Sequence, residues 1–323
     1  MKVRVSAPAR LHLGDIDPFG IGRFGYAPIL ALNEPRIIIE ASQNDAIEVM
    51  GIETEGSKAY VERTISEFNL PGAEIDILSM IPRHCGFGST TQLALSIGRA
   101  VTKAYDVNTD VVYLAKALKR TSTGGLYTFQ HGGFVVAGGL KIERGELIFN
   151  RKQVLFPPLI CRYDFPEEWR FLVIKPHMVP KSPDGNVEEE VFKKLHSERP
   201  PLALTYEAYF TLMAQLIPSI LEQNAKSFGE ALTKIQLLVG QMYQPVQGNV
   251  FNPASAWIIS ILRRNKALGI GQSSWGPIVY AFIENEEKGK DLMDAIRTEL
   301  KGRADVSLVK ADNSGVDVSI KPS

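Results

Sequence analysis

The stretch Pro82-Arg83-His84-Cys85-Gly86-Phe87-Gly88-Ser89-Thr90-Thr91-Gln92 obliges the chain to turn from a loop into a helix. Ahead of it, Ile75, Ile77, Leu78, Met80 and Ile81 make an apolar segment of strand character. Behind it, Leu93, Ile97 and Val101 recur at helical spacing. The first N–H groups of a helix have no partner inside it, and the helix dipole adds partial positive charge there. A Gly-rich turn that exposes them suits a phosphate or pyrophosphate, which makes Gly86, Gly88, Ser89, Thr90 and Thr91 candidate binding residues. The competing reading is an ordinary cap, with Ser89 or Thr90 capping and the glycines only making the turn. The spacing is neither that of a GxxxxGKS/T loop nor that of a GxGxxG fingerprint. Cys85 lies inside the turn, and the expectation for it is a small space-filling residue rather than an activated thiol.

With 323 residues the chain can bury a large core and is expected to hold two domains. Its 36 Lys and Arg balance 36 Asp and Glu, so no global field favours nucleic acid or an anionic membrane. No apolar run approaches the ~20 residues of a membrane span, and no signal peptide is visible. Two cysteines without metal-ligand spacing point to neither a disulfide framework nor a zinc site. The expectation is a cytoplasmic protein.

Strands are expected at 1–5, 36–40, 46–50 and 75–81, with helices at 58–68, 90–105 and 109–119, the last capped by Asn108 or Thr109. Gly124–Gly125 and Gly132–Gly133 flank a short aromatic segment, and 132–142 reads as a hairpin turning at Gly138–Gly139. Proline-punctuated 157–166 marks the expected domain boundary, dividing the chain into 1–165 and 166–323. Beyond it come a strand at 170–174 and a polar excursion at 179–201 with a short helix at 188–195. Helices at 203–223, 225–243 and 253–268 follow. Strands at 278–283, 306–309 and 316–320 then surround a helix at 286–300. Strands and helices alternate without βαβ regularity, so the fold class is α+β.

Three further segments carry polar groups suited to chemistry. In Ala9–Asp17, alternation puts Arg10 and His12 on one face and Leu11 and Leu13 on the other. Arg10 can bind an anion and His12 can move a proton, while Asp15 and Asp17 can hold Mg2+ if phosphates supply the remaining ligands. The alternative is a surface strand with solvated side chains. Gly269–Pro277 presents Gln272, Ser273 and Ser274 between glycines, which suits close approach to a ligand or simply a turn onto a strand. Leu237–Pro253 carries Gln241, Gln244, Gln247 and Asn249 among turn residues, and Trp257 and Trp275 read as packing residues.

These segments in this order resemble the GHMP small-molecule kinase superfamily and, within it, the β-ribofuranosylaminobenzene 5′-phosphate synthase family of archaeal methanopterin biosynthesis. The resemblance runs through Ala9–Gly14, Asp17, Gly20–Arg23, Ala31–Pro35, Pro82–Gly98, Phe129–Gly139, Gln236–Gly248 and Gly271–Tyr280. It implies a two-domain α+β fold with the phosphate loop between the domains. It also implies condensation of phosphoribosyl pyrophosphate with 4-aminobenzoate or a related benzoate, releasing carbon dioxide and pyrophosphate with Mg2+ present. In that setting Arg10 or Arg23 would hold a carboxylate or phosphate, and His12 or His84 would assist proton movement. A homodimer is the family-level expectation.

The runner-up implied by the superfamily is phosphoryl transfer from ATP. Many of its kinases carry a catalytic aspartate where this chain has Gly125, in Ser122-Thr123-Gly124-Gly125. The chain also departs from the synthase pattern at Phe24–Ala27, Thr90, Thr123 and Ala137. Those departures leave open another aromatic acceptor, or a binding protein without turnover.

Overall fold

In the computed structural model, which describes residues 2–52, 54–141, 156–177, 190–191, 194–195 and 202–321, the first strand lies inside the larger sheet, one strand from its edge. Val3, Val5, Ala7, Ala9 and Leu11 of β1 (Lys2–His12) are fully buried, whereas Lys2, Arg4, Ser6 and His12 are only partly so. Arg10 and His12 are thus the last residues of the strand rather than a segment after it, on the face opposite Leu11.

β1 pairs antiparallel with β2 (Arg23–Ser42), which is far longer than the expected strand at 36–40. Pro28, Asn33 and Pro35 lie within this strand. The strand absorbs them through a register shift opposite Pro8/Ala9. Its later half pairs with β4 (Ala73–Ser79), which runs parallel to β3 (Ile47–Gly51). Its earlier half pairs with β5 (Phe134–Lys141), which carries β6 (Leu159–Tyr163) on its other side.

The hairpin expected at Gly138–Gly139 is not formed, because both glycines lie within β5. A Cβ on Gly139, at φ +64°, would sit 2.7 Å from the Phe24 carbonyl oxygen, and one on Gly138 would meet Ile160. These glycines allow close backbone approach instead of a turn.

Helices α1 (Thr54–Phe68), α2 (Ser89–Ala104), α3 (Val111–Ala117) and α4 (Thr123–His131) form the layer associated with this sheet, with α2 lying on β1 and β2. Leu93, Ile97 and Val101 of α2 are fully buried, as their spacing requires. The cap of α3 is Asp110, whose carboxylate accepts the Tyr113 N–H at 2.8 Å, in place of Asn108 or Thr109.

The second sheet runs β10–β7–β9–β8, with β7 (Arg170–Pro176), β8 (Leu268–Gln272), β9 (Val279–Ile283) and β10 (Ala304–Lys310). β8 was not expected; Gly269 and Gly271 made it read as loop. Helices α5 (Leu202–Thr211) and α6 (Ile217–Leu221) are joined by a π-helical turn at Leu212–Leu216. They lead into α7 (Ala225–Gln247) and α8 (Pro253–Arg264). α9 (Glu286–Leu300) has the extent its sequence implies.

Phe228 of α7 stands 4.7 Å from Phe282 of β9 and 5.1 Å from Trp169, centroid to centroid. Aromatic pairs of this kind add about 1 kcal/mol each beyond the area they bury. The final strand, β11 (Asp317–Lys321), returns to pair with β1. Of the helix expected at 188–195, the described residues 190–191 and 194–195 are helical, and the rest of the 179–201 excursion lies outside the described residues.

Candidate active site

The Gly-rich turn between β4 and α2 is gripped from both sides. From β1, Arg10 N–H donates to the Phe87 carbonyl at 3.1 Å, and Arg10 Nη1 donates to the Gly86 carbonyl at 2.8 Å. From the β8–β9 connection, Ser273 Oγ donates to the same Gly86 carbonyl at 2.6 Å and Ile278 N–H to the Cys85 carbonyl at 3.2 Å. Three successive carbonyls are thereby tied away from the helix start.

Gly88, at φ +77°, is the N-cap of α2, and no side chain caps the helix. The capping reading of Ser89 and Thr90 is therefore corrected: neither hydroxyl caps, and the first-turn N–H groups face the turn without a side-chain acceptor. That arrangement leaves the helix start open to an anion, which is the cradle expected from the sequence. Ser89 and Thr91 are buried, and Thr90 is partly exposed. Burial pushes the Cys85 thiol above its usual range, in keeping with a space-filling residue.

Beside this cradle lies a cleft of about 550 Å³, partly open to solvent. Tyr243, Trp275 and Phe251 are its aromatic walls, and Val239 and Val250 add aliphatic surface. Tyr243 and Trp275 meet edge to face, 4.9 Å between centroids. Gln236, Gly240, Tyr243 and Gln247 reach the cleft because they share one face of α7.

The cleft's amides are bonded to the chain. Gln236 accepts the Gln272 N–H at 2.9 Å and donates to the Leu13 carbonyl at 2.8 Å. The Gln272 side chain accepts the Asn252 N–H at 2.7 Å and donates to Gln247 Oε1 and the Ser274 carbonyl. Aromatic side chains and chain-bonded amides thus line the cleft together.

His12, Asp15, Gln272 and Ser274 of the expected residues line this cleft. Arg10, Gly86, Gly88, Ser89, Thr90 and Thr91 form the cradle. Ser273 joins the two rather than facing either: it is fully buried, accepts the His12 N–H at 3.0 Å and donates to Gly86. Burial, and then the Arg10 charge, hold the His12 imidazole down to about 3. Near neutrality its uncharged form is therefore favoured. His84 sits in the turn at φ +55° and does not line the cleft.

Two expected site residues serve the backbone instead. Arg23 donates through Nε and Nη2 to the Gly139 carbonyl at 3.1 and 2.9 Å, bracing β2 against β5. Asp17 has no exposed surface. Its carboxylate accepts N–H groups of Ile21, Gly22 and Arg23 at 2.7–2.9 Å and the Tyr209 hydroxyl at 3.3 Å. Asp17 thus already accepts four hydrogen bonds from the chain, and no cluster of three ligating side chains occurs among the described residues.

Sequence reasoning did not single out Gln236, Tyr243 and Phe251, and it read Trp275 as packing. The available signal was a glutamine and a tyrosine seven residues apart on an otherwise apolar helix face. Of the glutamines it did note, Gln247 reaches the cleft, while Gln241 and Gln244 face solvent.

The architecture is that of the GHMP kinases. The family model described as GHMP kinases N terminal domain matches residues 57–133, and that described as GHMP kinases C terminal matches 216–302. Among solved structures, the mevalonate kinase of Methanococcus jannaschii superposes with a TM-score of 0.66 at 16% identity, covering 96% of this chain and 98% of that one. A homoserine kinase from Cytophaga hutchinsonii gives 0.63 at 14% identity over 98% and 97%. These likenesses establish the fold.

The sequence is more specific. It is 30% identical over 332 residues to the β-ribofuranosylphenol 5′-phosphate synthase of Archaeoglobus fulgidus, covering 98% of this chain and 100% of that protein. It is 29% identical to the enzyme of the same name from Methanocaldococcus jannaschii, covering 96% and 98%. The chain belongs to this synthase family within the GHMP superfamily. No helix among the described residues is long and apolar enough to cross a membrane.

Proposed function

We propose that the chain joins phosphoribosyl pyrophosphate to a hydroxybenzoate, releasing pyrophosphate and carbon dioxide. The observation that carries this reading is the junction at Ser273, which fixes an anion cradle directly against an aromatic-walled slot. The relatives' name specifies a phenol product. A hydroxybenzoate gives that product directly, whereas 4-aminobenzoate gives an aminobenzene, so the hydroxy acid is the first acceptor to test.

Pyrophosphate departure leaves an oxocarbenium-like sugar carbon, which the ring attacks at its carboxylate-bearing position. Loss of carbon dioxide then restores aromaticity. The cradle at Gly86–Thr91 takes negative charge as the C–O bond breaks, and the slot holds the ring against the sugar and excludes water. Mg2+ bound with the pyrophosphate would neutralise its leaving charge; no cluster of three ligating side chains to hold it occurs among the described residues.

Gly125 supplies no carboxylate where many kinases of the superfamily carry one, and a Cβ there would lie 2.9 Å from Thr91 Cγ2, so a longer side chain would have to displace Thr91. Calorimetric titration of phosphoribosyl pyrophosphate and of ATP, each with Mg2+, tests the assignment. Binding of the sugar pyrophosphate, followed by carbon dioxide release on adding 4-hydroxybenzoate, is the expected result. Binding of ATP alone would overturn it.

A further inference from the structure

We infer that Asp15, held in place by Tyr243, recognises a hydrogen-bond donor on the acceptor ring and so sets both which benzoate enters the slot and which way round it sits. The inference rests on the acceptor slot of the proposed reaction. Among the described residues lining the cleft, Asp15 is the one carboxylate, and no Lys or Arg joins it. Its Oδ2 accepts the Tyr243 hydroxyl at 2.8 Å, a contact between residues 228 positions apart that fixes the carboxylate against the aromatic wall. Tyr243 is in turn packed edge to face on Trp275. The three glutamine amides are engaged with one another and the backbone, and burial pushes the His12 imidazole down to about 3, so Asp15 is the acidic acceptor that faces the slot.

A benzoate is also an anion. Inside the cleft its carboxylate is repelled by Asp15, while the uncapped start of α2 and the Arg10 guanidinium lie towards the cradle. The ring is therefore oriented with its carboxylate towards the cradle and its opposite end towards Asp15. That places the carboxylate-bearing carbon, the one that forms the new bond, nearest the sugar. A hydroxyl or amino group at the far end donates to Asp15, and the hydrogen bond increases electron release through the ring to the attacking carbon. Unsubstituted benzoate makes no such bond. Tyr243 is the positioning residue, acting through Asp15.

The test compares binding of 4-hydroxybenzoate, 4-aminobenzoate and benzoate to the protein saturated with phosphoribosyl pyrophosphate and Mg2+. A hydrogen bond to a charged acceptor corresponds to a preference of about 10- to 100-fold for the donor-bearing acids. In Asp15→Ala that preference falls to within about twofold, chiefly through weaker binding of the donor-bearing acids. Tyr243→Phe keeps the ring packing and lowers the preference part of the way, and it decides the matter if Asp15→Ala fails to fold. An undiminished preference in a folded Asp15→Ala, or in Tyr243→Phe where that variant must decide, overturns the inference and leaves the proposed reaction intact. If the unsubstituted protein binds the sugar pyrophosphate but none of the three acids, the acceptor assignment falls and this inference with it.

Discussion

Replacing Gly86 by alanine should uncouple the anion cradle from the slot. Gly86 has φ +99°, and a Cβ there would stand 2.3 Å from the Ser273 carbonyl oxygen, which is backbone and cannot swing away. Restoring ordinary contact requires the two loops to part by about 1 Å, which also breaks the Ser273 Oγ bond to the Gly86 carbonyl. Strain at a positive φ costs about 1–2 kcal/mol, and losing the hydrogen bond costs about 1 kcal/mol. With the loop displacement the sum is about 3 kcal/mol.

Gly25→Ala is the control, because Gly25 also has a positive φ, +73°, but open space around it. It should lose only the backbone strain, about 1 kcal/mol. Urea unfolding gives the stabilities, and calorimetry with phosphoribosyl pyrophosphate gives the binding. A 1 Å misplacement of this sort costs about 100-fold in function, so Gly86→Ala should bind about two orders of magnitude more weakly than Gly25→Ala. Equal stability and equal binding in the two variants would refute the argument that loop contact, rather than backbone conformation, sets the site.

Glu40 gathers Lys2 and Arg4 at 3.1 and 3.0 Å together with Lys321 of β11, whose hydrogen bond is the main reason its carboxyl is held down to about 2. A depressed carboxyl stabilises the fold above the unfolded value, near 4.5, and loses that effect as pH falls through about 2. Because the cations are partly solvated, Glu40→Gln should cost only about 1 kcal/mol at pH 7. In thermal unfolding, its deficit relative to the unsubstituted protein should shrink between pH 4.5 and 2 and vanish below. A deficit independent of pH would contradict the charge argument. Gln236→Leu should cost about 3 kcal/mol, because it strands the Leu13 carbonyl and the Gln272 N–H in a buried site. Urea unfolding that shows a loss below 1 kcal/mol would remove the amide floor as a structural element.

The sequence by itself determined the elements whose information is local. The apolar period of α2, the glycines of its leading turn, the alternation that buries Leu11 opposite Arg10 and His12, and the extent of α9 could all be read directly, since each depends on neighbours a few residues away. The superfamily was legible for the same reason. Gly138, Gly139, Gly269 and Gly271 misled because the same residue serves a turn and a strand that another backbone approaches closely.

What each polar side chain does was decided only by tertiary structure. Asp17 and Arg23 carry the groups of a metal ligand and an anion clamp, yet their hydrogen bonds go to the chain itself, to backbone and, for Asp17, also to the Tyr209 hydroxyl. Ser273 is consumed in fastening two loops 187 residues apart in sequence. Asp15 meets Tyr243 across an even longer separation. A carboxylate or hydroxyl binds whichever donor or acceptor folding brings within about 3 Å. For these residues the partner lies on another element, beyond the reach of local pattern.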